Sequence, residues 1–300
     1  MLSTDIESAG TSTIRGLVYE LRPWQWYKQF ILYLAVVFSG AAGQIDVWLR
    51  VTAGALLFST VAGSTYVLND VSDVEADRRH PRKRHRPIAS EQVSIPIAVV
   101  AAVSLYVLSG VLSWLLDPIF LGLLLLYVGQ NVLYSLHLKQ YLFVDLFSIS
   151  AGFVIRAVAG VVLVGSPLSP WLLLCTFLTA LMLGVSKRWG ELTETAEPTA
   201  VRETFEGYST PMLQFLLGSV ATTLLMSYSM YTFFARSLAM MLTIPFAFFA
   251  VFRFVHNTFR HEGSSEPHML LLDRPLLTNF LAWGAVALAV LYWPVSEVFL

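Results

Sequence analysis

An all-α, multi-pass membrane bundle of nine transmembrane helices is the architecture this chain predicts, and three observations predict it. Of its 300 residues 56% are hydrophobic and 13% charged, against about 25% charged in an ordinary soluble domain, and its mean hydropathy is +0.66. The apolar residues gather in nine blocks, each close to the ~20 residues that a bilayer core requires. Lysine and arginine then fall in alternate loops, as they do when one side of a membrane retains the cations.

Taken in order, residues 1–13, rich in Ser and Thr, read as a disordered tail, and 14–300 as a single integral-membrane domain. No apolar stretch followed by a small-residue cleavage site opens the chain, so the N-terminus is expected to be retained. The segment "LRPWQWYKQF", Leu21 to Phe30, interleaves Trp24, Trp26 and Tyr27 with Arg22 and Lys28. That is the pattern of a segment at the headgroup boundary, and both an anchoring and a substrate-contacting role remain open to it. Spans are expected at 28–45, 48–70, 93–116, 118–136, 141–165, 169–187, 211–235, 238–256 and 276–298.

Arg15, Arg22 and Lys28 precede the first span, six cations separate the second from the third, and Lys139 lies between the fourth and fifth. Lys187, Arg188 and Arg202 follow the sixth, and Arg253, Arg260 and Arg274 cluster between the eighth and ninth. All of these loops fall on one side, while the other holds only Arg50 and Arg236. The expectation is a cell-membrane protein with a cytoplasmic N-terminus and Leu300 outside.

The net charge of −1 adds no argument for a nucleic-acid partner, no basic module with stacking aromatics is evident, and none is expected. Cys175 stands alone inside a span, so neither an intrachain disulfide nor a cysteine-rich metal site is expected.

Charge is densest in "NDVSDVEADRRHPRKRHRP", Asn69 to Pro87, where acids precede bases. On a helix Asn69, Asp73 and Asp77 recur every four residues and Asp70 stands three before Asp73, so all four project from one side of the second span's cytoplasmic end. At about 6 Å and an effective dielectric near 20, each carboxylate pair repels by roughly 3 kcal/mol. Such a cluster must hold protons or cations. Oxygen-only ligands suit Mg2+, which takes one or two carboxylates and completes its shell with water and substrate phosphate. The cations that follow, Arg78, Arg79, Arg82, Lys83, Arg84 and Arg86, can contact the same phosphates. A basic loop after a span is also an ordinary topology signal, although that does not account for the acids. His80 and His85 read as loop residues, since this chemistry needs no imidazole.

"NDVSDVEADRRHPRKRHRPIASEQV" closely resembles the aspartate-rich motif and following loop of the UbiA-like membrane prenyltransferase superfamily. With "LRPWQWYKQF", "YSLHLKQYLFVD" (Tyr134 to Asp145), "IRAVAG" (Ile155 to Gly160) and "SKRWGEL" (Ser186 to Leu192), the chain resembles the branch that makes polyprenyl-phosphoribose, the decaprenyl-phosphate phosphoribosyltransferases. The resemblance implies a nine-helix bundle whose central cavity opens to the cytoplasmic face and to lipid. It also implies an enzyme that moves 5-phosphoribosyl from phosphoribosyl diphosphate (PRPP) to a polyprenyl phosphate, with Mg2+ present and diphosphate released, supplying an arabinose donor for cell walls. Asn69, Asp70, Asp73 and Asp77 would then hold the metal and donor diphosphate, and Lys83, Arg84 and Arg86 would line the phosphate pocket. Asp73, Asp77 and Lys83 are expected to carry catalysis. The second, DxxxD-type motif of prenyl-transferring members has no counterpart on the sixth span, where Lys187, Arg188 and Glu191 stand instead. More cation and less anion there suits a donor with an extra phosphate and an acceptor that is itself a phosphate. Gln29 departs from the asparagine expected in the branch.

Arg156 lies mid-span, where an unpaired guanidinium costs at least ~2.5 to 3.5 kcal/mol. It is expected to face the cavity and a substrate phosphate, or to pair with Asp145. Tyr66, Tyr134, Lys139 and Lys28 are the remaining candidate substrate contacts. In mechanism, diphosphate departs from an oxocarbenium-like ribosyl carbon and the lipid phosphate attacks. An already ionised nucleophile needs no general base. Two rivals stand: an isoprenoid transferase acting from prenyl diphosphate on an aromatic or other acceptor, and a transporter, against which the one-sided acids and the lack of an inverted repeat argue. The loop Glu191 to Pro211 reads as a cap over the site or a plain connector. Acceptor length stays unread, and a homo-oligomer is neither required nor excluded.

Overall fold

The computed structural model describes residues 12–81, 83–194, 207–234, 238–260 and 273–292, and every regular element among them is helical. In order these are α1 (12–20), a 3-10 segment Pro23–Leu32 continued by α2 (Tyr33–Ser39), α3 (Ile45–Ser72), α4 (Val74–Arg79), α5 (Ile95–Leu116) and α6 (Pro118–Leu136). Then come α7 (Val144–Val164), α8 (Pro170–Glu194), α9 (Thr210–Phe234), α10 (Ile244–Arg260, entered through the 3-10 turn Leu238–Thr243) and α11 (Arg274–Tyr292).

Among the described residues eight helical stretches are long and apolar enough to cross a membrane, and they correspond to the second through ninth expected spans. The first crossing is built differently, from ten residues of 3-10 helix and seven of α-helix. A 3-10 helix rises about 2.0 Å per residue and an α-helix about 1.5 Å, so the 3-10 winding lengthens this segment beyond what an α-helix of as many residues would give. Its start is fixed by Pro23 after Arg22, which sits at φ 52° in the left-handed region. Of the expected tail, residues 1–11 lie outside the described residues, whereas Ser12 and Thr13 already belong to α1. Residues 195–206 of the expected cap, Arg82 and the end of the last span likewise lie outside them.

The chain divides into two compact units. One comprises the described part of Met1–Val36, Ala42–Asn131 and Ala159–Ser166. Within it α3 is the most enclosed span, two-thirds buried along its apolar stretch, because Gly54, Ala55, Ser59, Ala62, Gly63 and Ser64 let neighbours come close. Gly63 lies under the backbone of Leu21, and a Cβ there would stand 2.9 Å from the Leu21 carbonyl oxygen. In contrast α5 and α6 turn Val100, Val103, Val107, Leu115, Leu125 and Leu126 outward, at no cost where lipid is the solvent. Asp117 caps α6 by accepting the Ile119 and Phe120 N–H groups at 2.8 and 3.1 Å, with Pro118 as the first helical residue. Below the end of α3, Val67, Val74, Ile88, Val93, Ala98 and Ala102 form an apolar cluster joined by Leu17 and Leu21 of the N-terminal segment. That cluster seats the 83–94 loop.

The second unit comprises Val37–Ala41, Val132–Val158 and the described part of Pro167–Leu300. Leu178, Leu181, Met182 and Val185 of α8 interlock with Leu213, Leu217, Ala221 and Leu224 of α9, and Val251 and Phe254 of α10 close the layer. The α8 helix continues past its apolar part to Glu194, seven residues beyond the expected span, so Arg188 and Glu191 lie on one helical face.

Candidate active site

At the end of α3 the helix is interrupted at Asp73 (φ −93°, ψ 6°), yet the Asp73 N–H still donates to the Asn69 carbonyl and the Asp77 N–H to the Asp73 carbonyl, both at 2.9 Å. The four-residue register therefore survives into α4, and it sorts the four candidate ligands into two kinds. Asp70 and Asp77 are buried, 4% and 3% exposed. Arg86 binds them together through one nitrogen, its Nη1 donating to Asp70 Oδ1 at 2.8 Å and to Asp77 Oδ2 at 2.6 Å. Arg22 donates Nη2 to both Asp70 oxygens at 2.9 and 2.7 Å, with its guanidinium 4.7 Å above the centre of the Tyr66 ring. Lys83 Nζ lies 3.8 Å from Asp77 Oδ1 and is half exposed. Asp73 is exposed and Asn69 half-buried, and neither side chain is hydrogen-bonded to a described residue.

A third carboxyl, Glu20 of α1, reaches the same place. It is buried and accepts the Ile88 N–H at 3.0 Å. Burial pushes it up to about 7, the Ile88 N–H opposes the rise, Asp70 adds to it and Arg22 counters. Further along the loop, Arg84 is exposed beside His85, and Arg78 is paired with Glu75 and Glu91 on the surface.

In the other unit Arg188, 1% exposed, donates Nε to Asp145 Oδ2 at 2.7 Å, Nη2 to the Tyr134 hydroxyl at 3.3 Å and Nη1 to Glu191. The Tyr208 hydroxyl donates to Asp145 Oδ1 at 2.9 Å and accepts the Phe143 N–H at 3.2 Å, where Phe143 sits at φ 65°. Burial, reinforced by the Asp145 carboxylate, pushes the Tyr208 hydroxyl well above its usual range, so it remains a neutral donor. Lys187 lies 3.7 Å from Glu191 Oε1.

The partner of Asp145 is thus Arg188 and not Arg156. Arg156 is 5% exposed, donates to the Gly152 carbonyl at 3.0 Å and lies 5.2 Å from the centre of the Phe153 ring. The cationic excess expected at Lys187 and Arg188 is offset by Asp145 and Glu191. Lys139 is exposed, and Lys28 donates to Gln25 at 2.8 Å. Sequence reasoning missed Arg22 as a partner of Asp70 and gave no role to Glu20 or Tyr208. The available signal was a lone Glu20 beside Arg22 in an otherwise apolar and aromatic stretch.

The divalent ion that the motif implies can be tested against these atoms. Among the described residues no three His, Cys, Asp or Glu side chains converge at ligating distance. Mg2+ needs only one or two carboxylates beside substrate phosphate and water. Asn69 and Asp73, hydrogen-bonded to no described residue, and Asp77 supply hard oxygen atoms of the kind this requires.

The UbiA prenyltransferase family matches residues 30–272. A decaprenyl-phosphate phosphoribosyltransferase of Mycobacterium tuberculosis is 33% identical over 283 residues, spanning 91% of this chain and 93% of the relative. An enzyme of the same name from Corynebacterium glutamicum is 31% identical over 292 residues, 93% of this chain and 88% of the relative. Among solved structures, a UbiA homolog from Archaeoglobus fulgidus bound to GPP and Mg2+ is similar at a TM-score of 0.70 and 17% identity, covering 92% of this chain and 99% of that one.

Proposed function

The chain belongs to the UbiA prenyltransferase family, and from that premise we propose that it transfers the 5-phosphoribosyl group of PRPP to a polyprenyl phosphate and releases diphosphate. Kinship to phosphoribosyltransferases along nine-tenths of the chain supports this. The geometric observation that carries it is the burial of Arg188 against Asp145 and Glu191. Asp145 and Glu191 are taken up by one guanidinium, so these two are not available as the second acidic motif of a prenyl-transferring site. The acidic cluster on α3 and α4 is then the candidate metal site.

We assign Asn69, Asp73 and Asp77 to Mg2+, and to Asp70 the task of holding Arg22 and Arg86. Bound there, the ion would neutralise charge on the departing diphosphate. Lys83, Arg84 and the free edge of Arg86 take phosphate oxygens, Arg86 as a fork and Lys83 as a point charge. Their electrostatic pull and the placement of the acceptor supply the catalysis. The bond from the ribosyl anomeric carbon to diphosphate breaks with its electron pair leaving on diphosphate, and an oxygen of the lipid phosphate bonds to that carbon. No proton need be removed. The distribution of Lys and Arg supports a cytoplasmic site in the cell membrane.

The test is to offer the protein in lipid nanodiscs radiolabelled PRPP with a polyprenyl phosphate and, in parallel, prenyl diphosphate with aromatic acids, and to weigh the lipid product. A product heavier by one phosphoribosyl group is expected, lost on chelation of divalent ions and restored by Mg2+. Consumption of prenyl diphosphate with PRPP left intact would overturn the assignment and favour isoprenoid transfer.

A further inference from the structure

We infer that Glu20, on the helix before the first crossing, is a positioning residue for Arg86, acting through the Ile88 N–H. Only the identity of the substrate rests on the proposed reaction. Ile88 is 1% exposed inside the apolar cluster of Val67, Val74 and Val93, where water cannot satisfy its N–H. Glu20, equally enclosed, supplies the acceptor at 3.0 Å. Arg86 stands two residues earlier on the same tight loop, which is closed by the bonds Arg86 N–H to Lys83 O, Ser90 N–H to Arg86 O and Val93 N–H to Pro87 O. The backbone of α1 is pressed against this loop at Gly16, where a Cβ would stand 2.6 Å from Val93 and 3.2 Å from Pro87.

What this fixes is the direction of a guanidinium. Arg86 commits Nη1 to Asp70 and Asp77, while its Nε and Nη2 donate to no described residue and the side chain is 26% exposed. Two parallel N–H groups held in this way match two phosphate oxygens. Arg22, two residues beyond Glu20, grips Asp70 from the other side. The segment before the first crossing therefore braces both the loop that carries the fork and the carboxylate that aims it.

Binding of inorganic diphosphate to the full chain in nanodiscs, with Mg2+ in excess, reads this directly by calorimetry. Glu20→Ala and Glu20→Asp, the latter one methylene short, are expected to weaken affinity about tenfold or more, the range for a lost bond to a charged group. Glu20→Gln, whose amide oxygen still accepts the Ile88 N–H, is expected to restore it to within about threefold of the parent. Parental affinity in the Ala and Asp variants overturns the inference. So does a Gln variant as weak as Ala, because charge and not the bond would then be what matters. If Ala fails to accumulate, Asp against Gln carries the comparison. A parent that binds diphosphate yet forms no phosphoribosyl lipid overturns the reaction assigned above, while Gln rescue still supports the role of Glu20.

Discussion

Among the four acidic-motif side chains, Asp73 is the one that is both exposed and hydrogen-bonded to no described residue. Asp73→Asn should therefore leave accumulation in the membrane unchanged, since an exposed, unbonded site costs within about 0.5 kcal/mol. Turnover should fall by about two orders of magnitude or more, as when one preorganised electrostatic partner is removed. Lipid product measured against protein amount checks both, and full activity in the purified variant would refute the metal assignment. Asp145→Asn is expected to behave oppositely. It leaves the buried Arg188 guanidinium with Glu191 as its remaining carboxylate, at a cost of up to about 3 kcal/mol, and should appear as a fall in melting temperature and yield whatever the substrate. The difference between these aspartates was only half legible in the sequence. Spacing placed Asn69, Asp70, Asp73 and Asp77 on one side of a helix, but one of the two cations that occupy Asp70 is Arg22, 48 residues away. For Arg156 the sequence offers a substrate phosphate or Asp145, and it gives no sign that Arg188 takes Asp145, because distance along one helix is visible in a sequence and the approach of a second helix is not.

The helices themselves were legible from apolar length, and α5, α6 and α9 begin and end within two residues of expectation. Two departures have physical causes. The end of α8 outruns its apolar stretch because Arg188 and Glu191 pair along the helix and Asp145 receives the guanidinium. The first crossing is wound as 3-10 helix, which hydropathy does not register. Where the 3-10 part of that crossing ends, its backbone meets α7. A Cβ on Gly160 would stand 2.3 Å from the Leu32 carbonyl oxygen, a backbone atom that cannot swing aside. Gly160→Val should accordingly push the two segments apart and lower the melting temperature, with a cost of about 1–3 kcal/mol for overpacking. An unchanged melting curve would show that the contact is slack.

For the molecule in its membrane, the alternation of basic and nearly charge-free loops predicts a sidedness that labelling can read. In a Cys175→Ser background, Leu168→Cys should react with an impermeant maleimide on intact cells, whereas His85→Cys should react only after permeabilisation. The reverse pattern would place the acidic site outside and make a cytoplasmic sugar donor untenable. Rewinding the ten residues Pro23–Leu32 to α pitch would retract about 5 Å of chain, as the rise drops from about 2.0 to 1.5 Å per residue. Such a recoil would unhook the Arg22 guanidinium from Asp70 unless α1 followed it. The 3-10 segment is in that sense a tether of set length, and the seat of Leu32 against Gly160 at its far end also governs the reach of the guanidinium at its near one.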